Sequence, residues 1–107
     1  MDFFARLGGE EFAVLAVDTD VAGAVCLAER LRRLIASHCT IWAREKIFLT
    51  ASLGVAGIER TSGNSLEDAM RRADKSLYAA KANGRNCVWM WDKHKGEPVR
   101  AGKVLAG

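Results

Sequence analysis

The sequence predicts a single α+β domain, and three observations carry that expectation. A chain of 107 residues has room for one modest core and no more. Its apolar residues make up 50% and its charged residues 27%, close to the usage of a soluble globular protein. The apolar period also switches along the chain, giving the order strand, strand, helix, strand, helix, strand.

The first two strands are expected at Phe3 to Leu7 and Phe12 to Val17, separated by Gly8, Gly9, Glu10 and Glu11, which is a hairpin pattern. From Val21 to His38 the period becomes helical. Val25, Ala28, Leu31 and Ile35 fall on one stripe, and Asp20 stands at the N-cap position. Ile47 to Ile58 returns to strand chemistry, with Leu49, Ala51, Leu53 and Val55 on one face and Thr50, Ser52 and Gly54 on the other. Ser65 to Asp68 matches a capping box, and Leu66, Ala69, Met70, Ala73, Leu77 and Ala80 follow at helical spacing up to Asn83-Gly84. Cys87 to Trp91 reads as the last strand. Residues 92–107 carry Gly96, Pro98, Gly102 and Gly107 with little periodicity, so a tail or linker is expected there. No internal repeat is visible.

Composition excludes several functions. The net charge is +3, but Lys93, Lys95, Arg100 and Lys103 against Asp92 and Glu97 place +2 of it in the tail. The body is nearly neutral and its charges alternate in sign, unlike a nucleic-acid reader. Cys26, Cys39 and Cys87 are far apart and odd in number, which argues for buried reduced thiols over a disulfide or zinc framework. No apolar run approaches the ~20 residues of a membrane span, and no secretory leader is apparent, so a cytoplasmic chain is expected.

The chemistry concentrates at the first turn. Glu10 and Glu11 are adjacent carboxylates that repel one another unless something neutralises them, and a hard divalent cation is one remedy. Gly8 and Gly9 would let backbone approach a nucleotide. A solvated hairpin tip accounts for the same four residues, and on them alone both readings stay open.

More of the chain is distinctive. Arg6-Leu7-Gly8-Gly9-Glu10-Glu11-Phe12 resembles the signature hairpin of the GGDEF domain in its GGEEF form. Ala28-Glu29-Arg30-Leu31-Arg32 is similar to that family's next helix, Thr50 to Ala56 to its following strand, and Ala73 to Asn86 to its last helix and exit. The resemblance runs from residue 2 to about 91, and four motifs in the same order make chance a poor explanation. It implies a ferredoxin-like nucleotidyl-cyclase fold, with helices on one side of the sheet, and the synthesis of cyclic di-GMP from two GTP molecules.

Carried over by position, the resemblance makes Glu10 and Glu11 ligands of Mg²⁺ or Mn²⁺, with Glu11 also the catalytic carboxylate. Gly8 and Gly9 would line the nucleotide pocket, and Lys81 and Arg85 would hold the triphosphate. Asp2 and Arg30 match parts of a product-inhibition site, although the arginine of its Arg-x-x-Asp motif has no counterpart here. As an ordinary helix-end charge (Lys81), a strand-edge charge (Asp2) or a solvated helix charge (Arg30), each residue has a simpler explanation. Catalysis in the family needs a homodimer, and a sensory domain is expected on the N-terminal side in a longer protein.

Residues 1–91 thus read as a partial GGDEF domain and 92–107 as its tail. The family's first strand and first two helices, with a further metal-binding aspartate and the guanine-recognising residues, are missing. The chain alone is therefore expected to be inactive, its exposed sheet edge covered by a second copy or in part by residues 99–105. The alternative is a degenerate domain serving as a nucleotide-binding regulatory or dimerisation module.

Overall fold

A computed structural model describes residues 3–8, 11–15, 20–58 and 66–101, the first two segments as backbone. The elements run β1 (Phe3–Gly8), β2 (Glu11–Leu15), α1 (Val21–Ser37), β3 (Cys39–Trp42), β4 (Glu45–Phe48), β5 (Leu53–Val55), α2 (Leu66–Ala82), β6 (Val88–Asp92) and β7 (Glu97–Arg100). The mixed α+β architecture agrees with the sequence expectation.

Strands β5, β6 and β7 form one sheet in that order. β5 and β6 are parallel, with Leu53 opposite Val88 and Val55 opposite Met90, and α2 makes the crossover between them. Side chains alternate across such a sheet, and each helix takes one face. Val25 and Ala28 of α1 form a core with Val88 and Ala101, against which Val21, Leu53, Val55 and Met90 pack. The opposite face presents Gly54, where an added Cβ would meet the backbone of Ala73 and Leu77 in α2. The helices therefore cover both faces, correcting the expectation that they share one side. The physical reason is the pleat: Gly54 and Leu53 are neighbours in sequence and point opposite ways.

Helix α1 begins as expected, with Asp20 Oδ1 accepting the Gly23 N–H at 2.7 Å. Its apolar stripe is buried at Val25 and Ala28, whereas Ile35 is exposed. In α2, Ala69 and Ala80 are buried while Leu66 and Met70 are exposed. Ser76 is also fully buried, its hydroxyl donating to the Arg72 carbonyl at 3.0 Å.

Two further expectations, both about strands, are revised. The single strand from Ile47 to Ile58 is two short ones, β4 and β5, and β4 pairs with β3 in an antiparallel hairpin. That hairpin turns at Ala43 and Arg44, both at positive φ (51° and 69°). Two left-handed residues suit a tight hairpin, but Ala-Arg lacks the Asn-Gly chemistry that marks such turns in sequence.

The second revision concerns 92–107. Asp92 Oδ1 accepts the backbone N–H of His94 (2.8 Å) and Lys95 (3.2 Å), which folds the chain back into β7, antiparallel to β6. Ala101 is fully buried and its N–H donates to Val88 O at 3.0 Å. The reading of a linker does not hold over 92–101; residues 102–107 lie outside the described residues. Cysteine burial is likewise mixed: Cys87 is buried, Cys39 half-buried and Cys26 exposed.

Candidate functional site

Strands β1 and β2 pair antiparallel, with Phe3 opposite Leu15, Ala5 opposite Ala13, Arg6 opposite Phe12 and Gly8 opposite Glu11. The register shifts between Arg6 and Gly8, an irregularity of the kind that re-aims a strand end beside a site. The hairpin predicted from the alternation is thus formed, and it brings Gly8 and Glu11 together. Gly9, Glu10 and Asp2 lie outside the described residues.

The donor chemistry suits a hard cation. Glu10 and Glu11 offer only carboxylate oxygens, and Mg²⁺ is commonly held by one or two carboxylates with substrate phosphates completing the shell. Among the described residues no group of three or more His, Cys, Asp or Glu side chains could form a closed protein cage.

The second group of predicted residues sits where α2 ends. Gly84 takes φ 107°, and the Arg85 N–H donates to Ala80 O at 3.0 Å, the six-to-one bond that terminates a helix on a left-handed glycine. Lys81 lies in the last turn and Arg85 just beyond the cap, both exposed. The partial negative charge of a helix C-terminus opposes an anion, so a phosphate held here would depend on side-chain cations. Arg85 and Asn86 continue in left-handed conformation at φ 58° and 48°, which costs Arg85 about 1–2 kcal/mol unless surrounding contacts hold it and costs asparagine less.

Those contacts come from residues the sequence did not single out. Asn86 N–H donates to Ser52 Oγ at 3.2 Å, and Asn86 Oδ1 accepts from Arg32 Nη1 at 3.0 Å. Arg32 is in turn fixed by Glu29, whose Oε1 accepts from Nε at 2.8 Å and from Nη2. Their side chains are 19% and 18% exposed, so the pair is partly shielded from water. The Arg32 hydrogen bond holds the Glu29 carboxyl below the ordinary glutamate range against the opposing effect of burial, and Glu29 raises Arg32 in return. Arg32 and Asn86 both fall inside recognisable motifs, but their pairing spans 54 residues and needs the fold to be seen.

Arg30 is exposed on α1. An open apolar groove of about 420 Å³, lined by Leu34, Ile35, His38, Thr40 and Leu49, includes none of the predicted site residues.

The profile of the family described as "Diguanylate cyclase, GGDEF domain" matches residues 1–87. The chain belongs to the GGDEF family. It is 39% identical over 87 residues to "Diguanylate cyclase A" of Treponema denticola, a match covering 81% of this chain and 23% of that protein. It is 41% identical over 90 residues to "Response regulator PleD" of Caulobacter vibrioides, covering 82% and 20%. The chain therefore spans about a fifth of the length of these relatives. Among solved structures, the active GGEEF domain of a diguanylate cyclase from Vibrio cholerae superposes with a TM-score of 0.68 at 31% identity, covering 87% of this chain and 58% of that one. The GGDEF fold expected from the signature motifs is thus the fold observed.

Proposed function

We propose that this chain is the signature-bearing C-terminal part of a diguanylate cyclase domain that condenses two GTP molecules into cyclic di-GMP, and that it does not turn over alone. The observation that carries the reading is the pairing of Gly8 with Glu11 across β1 and β2, which brings the first glycine and the second glutamate of the GGEEF sequence together in a chain of this family.

In that reading Glu10 and Glu11 hold Mg²⁺ or Mn²⁺, and Glu11 is the carboxylate nearest the reacting groups. A divalent ion bound there would offset charge on the phosphoryl oxygens. Gly8 and Gly9 let backbone approach the nucleotide, while Lys81 and Arg85 hold its triphosphate. The 3′-hydroxyl of one GTP attacks the α-phosphorus of the other and pyrophosphate leaves, and the step is repeated with the roles exchanged. Each GTP is carried by one domain of an antiparallel homodimer, so the protein's contribution is mainly positioning and electrostatics. Asp2 and Arg30 would contribute to product binding. No described helix is long and apolar enough to cross a membrane. The reading makes this a cytoplasmic domain answering to a sensory domain elsewhere in a longer protein.

A second reading is a degenerate GGDEF domain that serves as a nucleotide-binding regulatory or dimerisation module without turnover. Calorimetry of GTP with Mg²⁺ separates the two. The cyclase reading expects binding when a segment supplying the family's first strand and two helices is added, with cyclic di-GMP formed and abolished by Glu11→Gln. Binding without product in the restored complex favours the regulatory module, and no binding in either form sinks both nucleotide readings.

A further inference from the structure

We propose that Arg32 is a positioning residue for triphosphate recognition: held by Glu29, it locks the Asn86 turn and thereby aims Arg85. This inference rests on the assignment of Arg85 to the triphosphate made above.

Gly84, Arg85 and Asn86 are three consecutive residues at positive φ; glycine adopts that region freely, asparagine tolerates it, and arginine is the most strained there. Arg85 in particular needs its neighbours held in place. The Arg85 amide is tied back to Ala80 O, and the Asn86 amide to Ser52 Oγ. The remaining tie is the Asn86 side chain, whose oxygen accepts from Arg32 Nη1. Arg32 reaches it because Glu29, one turn earlier on α1, takes both Nε and Nη2 on a single oxygen and leaves Nη1 for Asn86. The planar guanidinium makes this relay possible: two donors anchor on one side and a third reaches across to a different element. A lysine ammonium carries the same charge but is a flexible point donor without that fixed fork. The relay joins α1 to the exit of α2 at the residue next to Arg85, so its loss frees the backbone from which Arg85 projects.

The test uses the 107-residue chain labelled with ¹⁵N and titrated with inorganic tripolyphosphate, with HN–Hα couplings reporting φ at 85 and 86. The wild type is expected to show saturable shifts at the Arg85 side chain, which Arg85→Ala removes. Arg32→Lys should weaken the apparent affinity on the order of tenfold, the low end of what losing an orienting partner costs at metal sites, and should average the couplings at 85 and 86. Asn86→Gly keeps the left-handed region accessible, removes the acceptor and should give the same loss, which also covers the case in which Arg32 variants fail to fold. Arg32→Lys added to Arg85→Ala should cost nothing further, as expected of a residue that acts through Arg85. Wild-type affinity in both Arg32→Lys and Asn86→Gly, or an additive loss in the double variant, overturns the proposal. A wild-type chain that binds no tripolyphosphate even with the segment supplying the family's first strand and two helices added, or an Arg85→Ala chain that binds normally, overturns instead the triphosphate assignment on which it rests.

Discussion

An added Cβ at Gly54 would lie 2.2 Å from the Ala73 carbonyl oxygen and 2.3 Å from the Leu77 nitrogen, both backbone atoms that cannot swing aside. The close approach of α2 to the sheet is therefore written into one missing side chain. Gly54→Ala must push the helix away from β5 and is expected to cost about 3 kcal/mol or more, the upper range for overpacking; urea unfolding checks this, and a loss under about 1 kcal/mol would show that the helix can retreat freely. The residue scale is also where the sequence was least explicit. Gly54 was readable as a strand residue on a small, polar face, but nothing nearby in the chain reveals that Ala73 and Leu77 sit on it. Arg32 and Asn86 were similar: each stands inside a recognisable motif, and only the fold joins them. Asp20, by contrast, was legible because an N-cap acts on the N–H three residues ahead.

At the scale of elements, local chemistry decided what could be foreseen. Helix α2 was readable from its spacing and its Asn-Gly exit, and the signature hairpin from its glycines. The β3–β4 hairpin was missed because its left-handed turn is made by Ala43 and Arg44, residues that rarely announce one. The β7 strand was missed because its short, charged sequence gains its order from β6 and from the turn that Asp92 caps. Helix α1 carries a pH dependence through Glu29. Its carboxyl is depressed in the folded state, so the stabilisation it provides is complete above the unfolded glutamate pKa and disappears as pH falls through the lower folded value. Glu29→Gln is therefore expected to lower stability by about 1–2 kcal/mol near neutrality. The gap from wild type should narrow in acid over that window. A gap that stays constant down to acid pH, measured by denaturant midpoints, would assign the loss to shape and not to charge.

At the scale of the whole molecule, the small core is shared between α1, β6 and the end of β7, since Val25, Ala28, Val88 and Ala101 form one cluster. Ending the chain at Asp92 would remove β7 and open that cluster. The shortened chain is expected to unfold at clearly lower denaturant than the full one, whereas equal midpoints would return 92–101 to the status of a linker. The family motifs made the cyclase fold legible, but they stop short of the segment that completes this core. β7 has one more consequence, which follows from Pro98. The Ala101 N–H points to Val88, and antiparallel bonding alternates, so positions 99 and 97 also face β6 while 98 and 100 face outward. Proline stands at one of those two outward positions and carries no N–H. A strand from another molecule that tried to extend the sheet past β7 would find a donor missing in the middle of the ladder and the charged ends of Glu97 and Arg100 on either side. That border is insulated against edge-to-edge growth and aggregation, and any association with further chains is steered towards other surfaces.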